Sequence, residues 1–212
     1  MSSSGLHRAR IGAIHAEVES ALADLAERDA VARLWAHDHT LWSDDPTEIS
    51  DRMGWLDVLA DMEAAGDRLD AVAAGAVADG FTDVVVMGMG GSSLFPEVLA
   101  RTFGEIEGAL ALTVLDSTDP AAIARVVAQA PPEHTLFVAS SKSGGTVETR
   151  SHLEFFWERV GKPEQFAVIT DPGSALGEIA RERGFRDIFE NRADIGGRYS
   201  ALSFFGIVPA AL

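Results

Sequence analysis

The sequence predicts an α/β fold, a three-layer αβα arrangement with a five-stranded parallel sheet, preceded by N-terminal helices. Three observations predict it. Short apolar or β-branched runs, Val84–Met87, Leu112–Leu115, Leu136–Ala139 and Phe166–Ile169, recur about every 25 to 30 residues, the spacing of βαβ units. An amphipathic stretch follows each run, and Ser93, Asp119, Thr146 and Ser174 precede or open these stretches as N-cap residues. The first 80 residues carry no such run and place apolar residues at helical spacing instead.

Residues 7–36 read as a helix, with Ile11, Ile14, Val18, Leu22 and Leu25 three and four residues apart and acidic residues between them. Ser43-Asp44-Asp45-Pro46 breaks it, and Pro46 suits the first turn of a second helix. That second stretch sets Ile49, Met53, Leu56, Leu59 and Met62 on one side. Gly66 interrupts it, and Leu69, Val72 and Val77 carry a third helix to Gly80. Trp35, Trp42 and Trp55 read as large packing residues beneath these helices, and nothing before residue 80 reads as chemistry. After the four runs, Phe185–Phe189 is a weaker candidate for the fifth strand. The expected organisation is a helical segment over 1–65 and a ligand-binding domain over 66–212. The last stretch, Phe204 to Leu212, is nearly all apolar. Such a run is expected to lie exposed unless another part of the molecule covers it, which reads as a fragment lacking a second domain.

Composition narrows the function. The formal net charge is −16, which excludes a duplex nucleic acid as partner, because that needs a basic face. It also repels anions at long range, so any phosphate site must work through local dipoles and hydroxyls. There are no cysteines, which removes disulfides and thiolate metal sites. No run approaches the ~18 apolar residues of a membrane span, and Met1-Ser2-Ser3-Ser4-Gly5 is no secretory signal. A cytoplasmic protein, with no membrane partner and no metal or other cofactor, is the expectation.

Two polar loops carry the chemistry. Gly88-Met89-Gly90-Gly91-Ser92-Ser93 follows the first run, and Ser140-Ser141-Lys142-Ser143-Gly144-Gly145-Thr146 follows the third. Both lead into a helix, whose first turn offers free N–H groups and the positive dipole end. Glycines let that backbone approach a ligand, hydroxyls add donors, and Lys142 adds a positive charge. The first loop alone is an incomplete dinucleotide fingerprint, since Ser93 stands at the third glycine and Asp116 at the ribose-binding acid. It is equally a plain strand-to-helix turn. The second loop lacks the glycine spacing of a Walker P-loop, yet it has more hydroxyls than a turn requires. A third element, Asp194-Ile195-Gly196-Gly197-Arg198-Tyr199-Ser200, sets an arginine behind two glycines. His37-Asp38-His39 with Asp44 and Asp45 reads as a polar helix end before a metal site, and His134 and His152 have no evident partner.

Gly88-Met89-Gly90-Gly91-Ser92-Ser93-Leu94, Ser141-Lys142-Ser143-Gly144-Gly145-Thr146-Val147-Glu148-Thr149 and Gly196-Gly197-Arg198-Tyr199-Ser200, in this order and spacing, resemble the phosphoglucose isomerase family. That family is built on the Rossmann-like sugar isomerase (SIS) domain. The resemblance covers about residues 50–212, reaches the first of the family's two SIS domains, and is closest to the isomerase half of bacterial transaldolase–isomerase fusions. It implies that Ser141, Lys142, Ser143 and Thr146 bind phosphate, that Gly91 and Ser92 line the sugar, and that Gly197 and Arg198 face the reacting carbons. Phe95 and Gly144-Gly145 depart from residues common in the family, which bears on substrate preference.

The implied reaction interconverts glucose 6-phosphate and fructose 6-phosphate through an enediolate, in glycolysis and gluconeogenesis, with Arg198 supplying positive charge. The family's proton-transfer groups have no matching positions here, so this chain alone is expected to be inactive. A homo-oligomer is expected of the intact enzyme. A non-catalytic sugar-phosphate sensor and a dinucleotide binder are the alternatives, and the hydroxyl-rich second loop suits a phosphomonoester better than a dinucleotide.

Overall fold

All four apolar runs and the weaker fifth form strands. They are β1 (Asp83–Gly88), β2 (Ala111–Leu115), β3 (Thr135–Ser140), β4 (Phe166–Thr170) and β5 (Asp187–Glu190). The chain is seen in a computed structural model that describes residues 12–212. The strands make one parallel sheet in the order β2-β1-β3-β4-β5, with Val84 beside both Leu112 and Leu136. A parallel sheet is covered on both faces, so its inner strands read as unbroken apolar runs. Val84, Val86, Leu136 and Val138 face one core, with Leu69, Ala76, Phe205 and Val208. Val85, Met87, Phe137 and Ala139 face the other, with Leu153, Phe156, Leu176 and Ala180. Phe137 stacks between Phe156 and Phe166 at centroid distances of 4.6 and 5.3 Å. Truncating such a buried ring costs about 3–5 kcal/mol.

The helices are α1 (His15–Glu27), α2 (Ala30–Trp35), α3 (Val58–Ala64), α4 (Gly66–Ala78), α5 (Leu94–Phe103), α6 (Pro120–Gln129), α7 (Val147–Val160), α8 (Ala175–Arg183) and α9 (Phe204–Ala211). Helices α4 and α9 cover the first core, and α6, α7 and α8 the second, which gives the three expected layers. Two expected caps bond through their side chains. Asp119 accepts from the N–H groups of Ala121 and Ala122, and Ser174 from that of Gly177. Ser93 and Thr146 occupy cap positions but direct their hydroxyls to Gly90 O and Ser141.

The chain divides into two units, Met1–Ser50 and Asp51–Leu212. In the first, the helix expected over 7–36 begins outside the described residues and is broken at Asp29, which takes φ +50°. Aspartate tolerates that left-handed geometry better than most residues, and the break separates α1 from α2. Trp35 and Trp42 are not packing residues, being 62% and 57% exposed. The helix expected after Pro46 is also absent. Ile49 and Ser50 both donate to Pro46 O, and short 3₁₀ turns at Ser50–Arg52 and Gly54–Leu56 precede α3. Between those turns Met53 forms an antiparallel bridge with Ile195, which a continuous helix would forbid. The apolar run from Phe204 is not exposed: Phe205, Val208 and Leu212 are buried in the first core.

Candidate functional site

Strand β1 leads to β2 on one side of the sheet, and β3 opens the other side. The crevice beyond the carboxyl ends of β1 and β3 is therefore the topological switch point, where open α/β sheets bind ligands. Both polar loops lie there. Gly88 and Ser140 are register partners, so the loops leave adjacent strands at the same level. A Cβ on Gly88 would sit 2.8 Å from Ser92 O and 3.0 Å from Ser140 O, so only glycine lets the first loop fold back.

The second loop is organised around a hydroxyl pair. Ser141 Oγ and Thr146 Oγ1 are 2.9 Å apart across the turn. Ser143 Oγ accepts from Gly145 N–H at 3.2 Å. Gly144 takes φ +66°, and a Cβ there would come within 2.8 Å of Ser174 Cβ, so a bulkier residue cannot keep this conformation. Among the described residues, the N–H groups of Lys142, Ser143 and Thr146 donate to no protein acceptor, and the first-turn N–H groups of α7 follow directly. Uncommitted donors and hydroxyls at a helix start make an anion cradle.

Lys142 behaves differently from the expectation of a free positive charge. Its Nζ donates to Asp171 Oδ2 and, at 2.7 Å, to Ala193 O. Burial is the main influence on Asp171 and raises its carboxyl above the ordinary carboxylate range, against the opposing pull of Lys142.

The third loop meets the first. A Cβ on Gly91 would overlap the carbonyl oxygen of Gly197. Ser200 Oγ lies between them, 3.1 Å from Gly91 O and 2.8 Å from Gly197 O. Arg198 follows, exposed and without an ion pair among the described residues. Ser92 is buried beside this contact. The structure thus brings Gly91, Ser92 and Gly197 together and sets Ser141, Ser143 and Thr146 on the neighbouring strand's loop.

Residues 52–61, in which the sequence shows no chemistry, hold the third loop in place. Gly54 N–H donates to Asp194 O at 2.9 Å, and a Cβ on Gly54 would overlap the Asp194 carboxylate. Trp55 stacks on Tyr199 with centroids 5.3 Å apart and planes 17° from parallel. Arg192 donates to Asp57 at 2.7 Å, to Asp61 at 3.0 Å and to Asp194 at 2.7 Å. Its guanidinium is held more firmly protonated, chiefly by the Asp194 bond. The one sequence signal for this clasp is Trp55 beside Gly54 in a stretch whose helical periodicity is otherwise plain. Arg52 adds its stem, since a Cβ on Gly196 would lie 2.9 Å from Arg52 Cδ.

Other candidates fall outside the crevice. Asp38 pairs with Arg33 at 2.7 Å and bonds Thr40, whose side chain chiefly lowers the Asp38 pKa to about 2. No group of three or more histidines and carboxylates is placed to hold a metal ion among the described residues. His134 Nδ1 lies 3.3 Å from Gly80 O. His152 is buried on α7, with Nε2 3.0 Å from Ser117 O and Nδ1 unpartnered, and burial chiefly lowers its pKa. A concavity of about 830 Å³ lies at edge strand β2, near Phe103, Leu112 and Leu212, and includes none of the loop residues.

The chain as a whole is similar to known proteins. The family model described as "Phosphoglucose isomerase" matches residues 25–212. A glucose-6-phosphate isomerase of Acaryochloris marina is 39% identical over 144 residues, which are 65% of this chain and 27% of that protein. The crystal structure of a hypothetical protein from Thermus thermophilus superposes with TM-score 0.73 and 30% identity, over 91% of this chain and 45% of that one. A glucose-6-phosphate isomerase from Chlamydia trachomatis superposes with TM-score 0.61 and 28% identity, over 83% of this chain and 32% of that one. The chain spans about a quarter of the length of the Acaryochloris marina relative.

Proposed function

Because the chain belongs to the phosphoglucose isomerase family, we propose that its three-loop crevice is the sugar-phosphate pocket of a glucose-6-phosphate isomerase. The carrying observation is the convergence of the first and third loops at Gly91 and Gly197, beside the hydroxyl pair of Ser141 and Thr146. In this reading the phosphate takes the N–H groups of the second loop and the hydroxyls of Ser141, Ser143 and Thr146. Ser92 and the backbone at Gly91 and Gly197 line the sugar. Arg198 faces the carbons on which the enediolate develops, where a positive charge counts most in the transition state.

Ring opening and proton transfer between carbons require acid and base groups, each worth typically ~10² to 10⁴-fold in rate. In this reading none of the residues assigned to the crevice supplies them. By itself the chain is therefore expected to bind fructose 6-phosphate and to turn it over more slowly than about 1 s⁻¹. A coupled assay on the chain purified from an isomerase-deleted host measures this.

Calorimetry with fructose 6-phosphate tests the pocket. Ser141→Ala and Thr146→Val are each expected to cost about 1 to 2 kcal/mol of binding, as for hydrogen bonds to a charged group. Unchanged affinity in both, with the fold intact, would place the phosphate elsewhere. Binding of NAD in preference would instead favour a dinucleotide site.

A further inference from the structure

Resting on the sugar-phosphate reading of the crevice, we propose that Lys142 is a positioning residue, not a phosphate ligand: its ammonium ties the phosphate loop to the loop that carries Arg198. The sheet order sets its direction. The crevice opens between β1 and β3, whereas the partners of Lys142 follow β4 and β5, on the other side of β3. Its ammonium is thus bonded to residues that follow β4 and β5 and to none of the first loop.

The tie is made at both ends of the residue. Lys142 O accepts from Asp171 N–H at 3.1 Å and from Thr170 Oγ1 at 3.4 Å, while Nζ reaches Asp171 and Ala193. Ala193 precedes Asp194, which is itself clasped by Gly54 and Arg192, and Gly196 and Gly197 follow before Arg198. Among the described residues, Asp171 Oδ1 is buried with no hydrogen-bond partner. Drawing the ammonium toward a bound phosphate would strip that carboxylate of the ammonium bonded to it, and a buried charge left unpaired is costly. Asp171 therefore keeps Lys142 where it stands when the phosphate arrives.

A tie makes Lys142→Met and Asp171→Asn alike, and a phosphate ligand makes them opposite. The test measures both variants and their double in the full chain, by hydrogen exchange of residues 194–199 without ligand and by calorimetry with inorganic phosphate and fructose 6-phosphate. Both single variants are expected to speed exchange at 194–199, to weaken fructose 6-phosphate by a similar factor of about ten, and to lose no more in combination. Inorganic phosphate, which touches only the second loop, is expected to change less than about threefold. Tighter phosphate binding in Asp171→Asn, or unchanged exchange at 194–199 in Lys142→Met, overturns the tie. Should wild type bind neither anion while exchange still rises in both variants, the tie stands and the sugar-phosphate reading falls.

Discussion

The loop after β1 and the loop after β3 look alike as sequences, and the molecule holds them by different means. The first, Gly88 to Ser93, is shaped chiefly by backbone lying on backbone, Gly88 against Ser140 and Ser92 and Gly91 against Gly197, with the Ser93 and Ser200 hydroxyls adding bonds to Gly90 O and Gly91 O. The second, Ser140 to Thr146, is fixed by side chains: the Ser141–Thr146 pair within it and the Lys142–Asp171 pair beyond it. Glycine serves the first by having no Cβ and the hydroxyl residues serve the second by bonding. Contact through absent atoms is intolerant of any addition. Contact through polar atoms is graded and responds to pH.

The largest expected effect is therefore Gly91→Ala. A methyl group there overlaps a carbonyl oxygen, not a movable side chain, so the first and third loops must separate. We expect fructose 6-phosphate binding to fall below detection and stability to drop by about 3 kcal/mol, the upper end for overpacking. A variant that binds normally would show the two loops are not locked together. Gly144→Ala comes next. It combines φ +66° with a Cβ 2.8 Å from Ser174, and a left-handed alanine costs about 1 to 2 kcal/mol. Chemical denaturation is expected to report that loss, with phosphate binding weakened and not abolished, because the hydroxyls of Ser141 and Thr146 that flank the strained residue remain.

The smallest effect is the pH response that only the second loop should show. Burial raises the pKa of Asp171, so the native state holds that proton more readily than the unfolded chain does. The stability this contributes is complete below the ordinary value of 3.8 and is lost as pH rises through the raised value. Relative to wild type, Asp171→Asn should thus gain in thermal midpoint as pH climbs through that window, while Gly91→Ala should follow wild type in parallel. Equal pH profiles for all three proteins would remove the distinction between the loops. The same direction means that burial disfavours the Asp171 carboxylate more than the Lys142 ammonium favours it.

The sheet was legible because parallel strands covered on both faces must be apolar without interruption. Strand β5 was harder, since at an edge Asp187, Ile188 and Glu190 are only partly covered. The two polar loops and the arginine stood out as residue types, the second loop because its hydroxyls outnumber what a turn requires. Their supports did not. Gly54, Trp55, Asp57 and Asp61 act on Asp194, Tyr199 and Arg192, partners far along the chain, and nothing within ten residues of Gly54 announces such a partner. Trp35 and Trp42 misled in the opposite way, since large apolar residues on helices are usually covered and these are exposed. The direction of Lys142 was equally hidden, because a lysine among hydroxyls reads as an anion ligand until its carboxylate partner is seen.

The contact between Gly91 and Gly197 constrains the two unequally, since a Cβ on Gly197 would meet nothing within 4 Å. A side chain gained at position 91 needs the Gly197 carbonyl to retreat, and that carbonyl is anchored through Ser200 and the Gly54–Asp194 bond. Stretches 52–61, 88–93 and 191–200 are therefore held as one packed part, although they are scattered along the chain. Grafting this pocket onto another parallel sheet would require all three to move together; the two conspicuous loops carried alone would arrive without the surface that shapes them.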